Sequence, residues 1–154
     1  MKITVLAEKK AIEYSKNVKH SSIFISITCP GEDDVKFSDN RYIKSIFNMK
    51  FNDTGENGDT INGIFIVGPK QDDFNGLKKF IDMNATNDIV EIVVHCGAGV
   101  SRSAGTALAI AEYLGIDNDI QSNPNFNPNL WVSKLVRNEL KIAKNESYYA
   151  DVFK

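Results

Sequence analysis

The chain has 154 residues, the size of one globular domain, and its 42% hydrophobic and 25% charged residues are typical of a folded protein rather than a disordered or collagen-like one. Eighteen lysines and arginines against 20 aspartates and glutamates leave a formal net charge of -2, without the basic surplus of a nucleic-acid-binding protein. The only early apolar run, residues 3–7, ends at Glu8 and is too short for a signal peptide or a membrane span. We therefore expect one domain over residues 1–154, cytoplasmic, with no nucleic-acid or membrane partner.

The first third of the chain alternates strand and helix patterns. Residues 3–7 predict a short strand, and the helical spacing of apolar residues over 8–18 predicts a helix. Residues 23–27 are β-branched and aromatic and are followed by Cys-Pro-Gly at 29–31, which predicts a buried strand ended by breakers. A further strand is expected within residues 42–51.

The middle of the chain holds a long polar segment. Residues 52–63 are rich in glycine and acidic side chains, a composition that predicts a mobile surface loop, and the apolar residues 64–67 are expected to dock part of it. Apolar residues then recur at helical spacing and predict one helix over residues 74–83. Asp72 or Asp73 is the expected N-cap of that helix.

The last third predicts the centre of the sheet. The apolar run 89–94 is typical of a parallel strand covered on both faces, and residues 103–115 carry apolar side chains at helical spacing up to a terminating glycine. A last helix is expected to begin near Pro128 or Asn129, with Pro favoured at the first helical position, and to extend to Ala143. These elements predict an α/β fold with a central, mostly parallel sheet of four or five strands flanked by helices.

The segment between that strand and helix carries the chemistry. It reads HCGAGVSRS over residues 95–103, so Cys96 lies at the end of the strand and Arg102 lies six residues later. Small residues that enter a helix turn their backbone N–H groups toward one point and form an anion site at the positive end of the helix dipole. A guanidinium suits bidentate contacts to phosphate. The predicted phosphate-binding residues are Gly97, Ala98, Gly99, Val100, Ser101 and Arg102.

Cys96 is the predicted nucleophile. A free thiol with a pKa of about 8.5 is only about 3% thiolate at neutral pH, but helix N-termini and nearby cations lower the pKa to roughly 3.5–7.5. In-line attack on a bound phosphate monoester would give a cysteinyl-phosphate, and the leaving oxygen would need a proton from a carboxylic acid on a closing loop. Asp53 is the candidate acid and Asp59 the second choice, with Asp72 and Asp73 as competitors.

The motif HCGAGVSRS resembles the signature of the cysteine-dependent protein tyrosine and dual-specificity phosphatases, which is His-Cys, five residues, Arg, then Ser or Thr. Residues 128–135 resemble the dual-specificity pattern that begins Pro-Asn, with Val132 in place of the usual Phe. Residues 25–30 and 51–54 resemble segments of a compact bacterial and phage group of phosphatase-like proteins. The resemblance therefore extends over about residues 3–142.

The resemblance implies a protein phosphatase that acts on phosphotyrosine, or with dual specificity, through a phosphocysteine intermediate and without a metal or cofactor. It implies a phosphorylated protein or peptide as the partner. It also assigns three supporting roles: the Ser103 hydroxyl donates to the thiolate when the intermediate breaks down, His95 orients the loop without acting as a base, and Asn129 orients the site. From local sequence alone, capping of the following helix is a sufficient role for either Ser101 or Ser103.

Two other functions fit parts of the pattern. The substrate could instead be an inositol lipid or an RNA 5′-phosphate, but the uncharged side chains of Gly97, Ala98 and Val100 offer nothing to a second phosphate. The chain could also be a non-catalytic phosphoresidue-binding module without a competent acid.

Cys29 is interpreted as a buried thiol at a strand end, with an oxidative disulfide to Cys96 as the alternative. The oligomeric state is left open.

Overall fold

A computed structural model of the chain describes residues 1–142 and shows an α/β fold built on one four-stranded parallel sheet, which confirms the predicted fold class. In chain order the elements are β1 (Lys2–Ala7), α1 (Glu8–Asn17), β2 (Ser22–Thr28), β3 (Ile43–Lys50), β4 (Asp59–Ile61), β5 (Ile64–Ile66), a 3-10 helix (Gln71–Phe74), α2 (Leu77–Asn84), β6 (Glu91–Cys96), α3 (Arg102–Leu114) and α4 (Leu130–Glu139). The strand order of the sheet is β1-β6-β2-β3, and β4 pairs with β5 in a separate antiparallel hairpin.

The two central strands, β2 and β6, are buried at every residue. Most of their side chains are apolar because helices and loops cover both faces of a parallel sheet, and a few buried polar side chains, among them Glu91 and His95, interrupt the two runs. The edge strand β3 instead alternates between exposed and partly buried side chains over most of its length. The central strand predicted at residues 89–94 is displaced by two residues, because the Ile89 N–H closes a turn onto the Thr86 carbonyl (3.0 Å) and pairing begins at Glu91.

All four strands point the same way, so their carboxyl ends meet at one edge of the sheet. Ala7 at the end of β1 pairs with Cys96 at the end of β6. The segments that follow β1, β2, β3 and β6 therefore converge at this edge, where ligands bind in open α/β folds.

Helix α3 is buried from Arg102 to Ala111 and packs on β1, β6 and α4. Its small residues allow this close packing: a Cβ atom on Gly105 would lie 2.4 Å from the Asn129 carbonyl oxygen. As predicted, α3 ends at Gly115, which takes a left-handed conformation (φ +68°).

Helix α4 begins at Leu130, and the Asn129 side chain caps it by accepting the Val132 N–H (3.0 Å). The expectation that Pro128 occupies the first helical position is wrong, because the capping Asn129 separates the proline from the helix. Ala143, the expected end of the apolar face, lies outside the described residues.

The single helix predicted over residues 74–83 is two elements. Gly76 adopts a left-handed conformation (φ +88°) that separates the 3-10 helix from α2. The N-cap expectation is also wrong for α2, since Gly76 holds that position and forms no side-chain cap bond. Asp73 instead accepts the Lys70 N–H (2.7 Å) at the start of the 3-10 helix. The predicted apolar residues are nevertheless in the core: Phe74, Leu77, Phe80 and Ile81 are buried.

The segment predicted as a mobile loop contains a β-hairpin. Asn62 (φ +52°) and Gly63 (φ +77°) form its turn, and an Asn-Gly pair between apolar residues is a strong sequence signal for such a turn. Residues 64–66 pair with β4, but three of the four side chains at residues 64–67 remain exposed. Among residues 1–142, no helix is long and apolar enough to cross a membrane.

A buried carboxylate lies at the other end of the sheet. Glu91 is 1% exposed and accepts hydrogen bonds from the Thr4 and Tyr14 hydroxyls, each at 2.5 Å. The oxygen that accepts from Tyr14, Oε1, also lies 2.7 Å from the His20 ring nitrogen Nε2. Burial raises the pKa of Glu91, but these hydrogen bonds outweigh it and the pKa is lowered. The pKa of Tyr14 is raised to about 12 by burial and by the bond to Glu91.

Replacing Glu91 by glutamine is expected to lower the free energy of unfolding by about 1–3 kcal/mol at pH 7, because the hydroxyl donors lose a charged acceptor. The pKa of Glu91 is lower in the folded than in the unfolded protein, so its contribution is complete above its ordinary pKa of 4.5. The contribution is lost as the pH falls through the lowered pKa.

Urea unfolding of both proteins over a range of pH measures this difference. Glu13→Gln, at an exposed carboxylate on α1, is the matched control and is expected to change stability by less than about 0.5 kcal/mol. Equal stability of the Glu91→Gln and wild-type proteins at pH 7 would contradict the stabilising role of this carboxylate.

Candidate active site

The 96–102 loop is held against the end of β1. Gly99 has φ +69°, and a Cβ atom there would lie 2.3 Å from the Ala7 nitrogen, so only glycine fits. The Glu8 N–H donates to the Gly97 carbonyl (3.2 Å) on the same side. On the other side, the Asn129 N–H donates to the Ser101 carbonyl (3.0 Å). Backbone contacts therefore fix the course of the loop between two neighbouring elements.

Cys96 is the last residue of β6 and is 2% exposed. Its Sγ lies 3.0 Å from the Ser103 Oγ at the start of α3. Burial raises the pKa of the Cys96 thiol, but the Ser103 side chain, the backbone of Ser103 and Gly99, and the charge of Arg102 together lower it. The loop therefore favours the thiolate, the form that acts as a nucleophile.

Arg102 is 8% exposed and is held along one side of its guanidinium group. Its Nη1 donates to the Phe51 carbonyl (3.0 Å) and contacts the Cys29 Sγ (3.2 Å). Its Nε is buried and has no hydrogen-bond partner among the described residues. Its Nη2 lies beside Gly97, 3.5 Å from where a Cβ atom of that residue would be. The Nε and Nη2 donors are thus on the side of the guanidinium that can take an anion in bidentate fashion.

His95 lies beneath the loop and is fully buried. Its Nδ1 is 3.3 Å from the Cys96 carbonyl and its Nε2 is 2.6 Å from the Ser26 hydroxyl. Burial lowers the pKa of His95, so the ring is neutral near pH 7. Because a carbonyl only accepts, Nδ1 carries the proton and Nε2 accepts from Ser26. This arrangement suits the orienting role that the sequence resemblance implies.

Asp53 follows β3 and accepts two hydrogen bonds, one from the 96–102 loop and one from the N-cap residue of α4. Its Oδ1 accepts from the Ser101 hydroxyl (2.7 Å) and from the Asn129 side-chain amide (2.9 Å). The same amide also donates to the Thr54 carbonyl (3.0 Å). The structure therefore brings together three of the predicted site residues that are far apart in the sequence.

Neither serine of the motif caps α3 with its side chain. Ser101 occupies the N-cap position but forms no capping bond, because its hydroxyl donates to Asp53. The hydroxyl of Ser103 is at the Cys96 sulfur. The expectation that one of them is an ordinary cap is wrong, since both hydroxyls bond to candidate site groups.

The competing carboxylates lie elsewhere. Asp59 is in β4, where it accepts the Thr60 N–H (2.8 Å). Asp72 and Asp73 are in the 3-10 helix, and Asp73 bonds to the Lys70 N–H. Of these four aspartates, Asp53 is the one with a hydrogen bond to the 96–102 loop in the described part of the chain.

The sequence predicts Cys29 as a buried thiol at a strand end, with an oxidative disulfide to Cys96 as the alternative, but in the structure Cys29 is not buried and lies at the candidate site. It is partly exposed, and both it and Cys96 are free cysteines. Its sulfur contacts Arg102, and its N–H donates to the Glu32 carboxylate (2.6 Å). The available signal was topological: Cys29 follows β2, whose carboxyl end is at the same edge of the sheet as Cys96. Within residues 1–142, no three His, Cys, Asp or Glu side chains are grouped to hold a metal ion.

No protein-family model and no curated protein matches this sequence. Among solved structures, that of the human tyrosine phosphatase-like serine/threonine/tyrosine-interacting protein is similar over 96% of this chain and 87% of its own, with 20% identity and a TM-score of 0.49. Tk-PTP in the active form is similar over 98% of this chain and 86% of its own, with 12% identity and a TM-score of 0.42.

Proposed function

We propose that this chain is a cysteine-dependent phosphatase that hydrolyses phosphotyrosine in proteins or peptides, of the dual-specificity type, through a phosphocysteine intermediate. The observation that carries the proposal is the pairing of two groups in one loop. The pKa of the Cys96 thiol is lowered. At the other end of the same loop, the buried Arg102 guanidinium has an Nε donor without a hydrogen-bond partner among the described residues. A nucleophilic thiolate next to an anion-binding donor set supports attack on a bound phosphate.

In the first step, phosphate oxygens accept hydrogen bonds from the backbone N–H groups of residues 97–101 and from Arg102. The Cys96 thiolate attacks phosphorus, so an S–P bond forms as the bond to the substrate oxygen breaks. Protonated Asp53 gives its proton to that leaving oxygen. The hydrogen bonds that Ser101 and Asn129 donate to the Asp53 carboxylate support this role, because they connect it to the 96–102 loop and to the start of α4.

In the second step, water attacks the phosphocysteine and the S–P bond breaks. Asp53, now a carboxylate, accepts a proton from the water. The Ser103 hydroxyl, 3.0 Å from Sγ, donates a hydrogen bond to the departing thiolate. Phosphate and the starting forms of both side chains result, so neither step needs a metal or a redox cofactor.

The depth and charge of the loop support phosphotyrosine over other monoesters. Cys96 is 2% exposed, so its sulfur is recessed below the surface. The side chain of phosphotyrosine is longer than that of phosphoserine and can bring its phosphate closer to this sulfur. Residues 97–101 contribute no charged side chain for a second phosphate, which disfavours inositol lipids and RNA ends.

The test is kcat/KM, at one ionic strength, for a phosphotyrosine peptide, a phosphoserine peptide, an inositol polyphosphate and a 5′-phosphorylated oligonucleotide. We expect the phosphotyrosine peptide to be preferred by at least about tenfold. A tenfold advantage for either of the last two substrates would contradict the protein-phosphatase function. Binding of the phosphopeptide without turnover of an activated aryl phosphate would indicate a binding module instead, because an aryl leaving group needs little protonation.

Replacing Asp53 by asparagine is expected to lower kcat for alkyl phosphates by about 10²–10⁴ while slowing activated aryl phosphates far less. The reason is that only the poorer leaving group requires the proton. The basic limb of the pH–rate profile should also flatten. Asp59→Asn is the matched control and is expected to leave both rates unchanged; the full pattern in that variant instead would move the acid to Asp59.

A further inference from the structure

The β4–β5 hairpin presents apolar side chains to solvent on both of its faces. Ile64 is 66% exposed and Phe65 is 62% exposed. Ile61 pairs with Ile64 on one face, and Phe65 pairs with Thr60 on the other. Val67, just after the hairpin, is 48% exposed. An apolar surface that is concentrated on one small element is typical of an interaction site.

The hairpin is anchored beside the candidate acid. The Asn52 side-chain amide, next to Asp53, donates to the Val67 carbonyl (3.1 Å). A Cβ atom on Gly68 would lie 2.3 Å from the Gly55 carbonyl oxygen, so the two ends of the segment are in direct contact. The Trp131 ring nitrogen, on α4, donates to the Pro69 carbonyl (2.8 Å) and holds the residues that follow the hairpin against this helix. The exposed apolar side chains therefore extend from the segment that carries Asp53.

The surroundings of the hairpin are acidic. Residues 52–69 contain three carboxylates and no lysine or arginine, and Lys70 follows directly. The adjacent loop after β2 adds three more carboxylates at residues 32–34, and the lysine between the two loops, Lys50, is in an ion pair with Asp34 (2.9 Å). A bound polypeptide would therefore gain from positive charge near the site.

We propose that the β4–β5 hairpin docks the polypeptide that carries the phosphoresidue and selects phosphopeptides with both apolar and basic neighbours. This rests on the proposed function, because it names the substrate class of the same site. The acidic surroundings disfavour the two other occupants of an apolar hairpin. An anionic membrane would repel the carboxylates, and a second copy of the chain would place like charges together.

The experiment measures dissociation constants by fluorescence anisotropy in the Cys96→Ser background, which prevents turnover. Three phosphotyrosine peptides are compared: one with apolar and basic flanks, one with apolar and acidic flanks, and one with glycine and serine flanks. We expect the first to bind at least about tenfold more tightly than either of the others, and its advantage over the acidic peptide to shrink with added salt.

The hairpin variant is Ile64→Ser/Phe65→Ser, which is expected to remove most of this tenfold advantage. Phe65→Ser alone leaves the Ile61 and Ile64 pair intact and is expected to weaken binding of the first peptide by about threefold. Met83→Ser is the matched control, because Met83 is also 66% exposed but lies on α2. It should leave all three dissociation constants unchanged.

Equal binding of the three peptides, or unchanged binding by both hairpin variants, would overturn the docking proposal. So would a hairpin-dependent affinity for phosphatidylserine vesicles or a hairpin-dependent dimer in sedimentation, if peptide selectivity is absent. Turnover of an aryl phosphate by the wild type distinguishes failure of the phosphatase function from failure of the docking proposal. Turnover without peptide selectivity keeps the phosphatase function and overturns docking, whereas hairpin-dependent selectivity without turnover supports docking and contradicts the phosphatase function.

Discussion

Replacing Cys96 by serine is expected to reduce hydrolysis of a phosphotyrosine peptide to less than about a hundredth of the wild-type rate. The serine hydroxyl does not ionise in this environment, whereas the pKa of the Cys96 thiol is lowered by Ser103, the backbone of the loop and Arg102. The backbone donors and the guanidinium are unchanged in the variant, so its affinity for inorganic phosphate should remain close to that of the wild type. Steady-state kinetics and phosphate titration measure the two quantities separately.

The second free cysteine supplies an internal control for the state of the thiol. Iodoacetamide near pH 6 is expected to modify Cys96 before Cys29, and phosphate or vanadate should protect Cys96. Peptide mapping by mass spectrometry identifies the modified residue. Faster reaction at Cys29, or residual hydrolysis above a hundredth in the Cys96→Ser variant, would exclude Cys96 as the nucleophile.

Replacing Arg102 by lysine is expected to lower kcat/KM by about 10²–10³, with loss in both substrate affinity and turnover. Lysine keeps the positive charge but lacks the planar set of donors that allows bidentate binding of phosphate. It also cannot donate simultaneously to the Phe51 carbonyl and to an anion in the geometry of Arg102. The charge alone is therefore expected to be insufficient.

Arg41→Lys is the matched control, because Arg41 is an exposed arginine that lies over the Tyr42 ring, 4.9 Å from its centroid. It should leave kcat/KM unchanged. Urea unfolding of the Arg102→Lys variant shows whether a lower kcat/KM comes from a destabilised fold or from the loss of phosphate binding and turnover in a folded protein. Nearly normal kinetics in a folded Arg102→Lys protein would contradict the bidentate arrangement.

Local sequence determined the parts of this protein whose structure depends on near neighbours. The apolar runs of β2 and β6, the helical spacing of α3 and its glycine terminus are each encoded within a few residues. The same is true of the 96–102 loop. Small residues between a strand and a helix determine its turn, and the backbone N–H groups and the arginine at its end are its hydrogen-bond donors. The Asn-Gly turn of the hairpin is an equally local signal, although the glycine-rich and acidic composition of this segment led to the prediction of a mobile loop. The two-residue displacement of β6 and the break at Gly76 show that boundaries within such segments depend on competing turns.

Only the tertiary structure shows which distant residues lie together at the candidate site. Four aspartates were compatible with the acid by sequence, and the one that bonds to Ser101 and Asn129 is Asp53. Cys29 reaches Arg102, and Glu91 gathers hydroxyl donors from β1 and α1, although nothing adjacent in the sequence indicates either contact. The physical reason is the parallel sheet. It brings the carboxyl ends of strands far apart in the chain to one edge, and the strand order that decides which of them become neighbours is set by packing of the whole core.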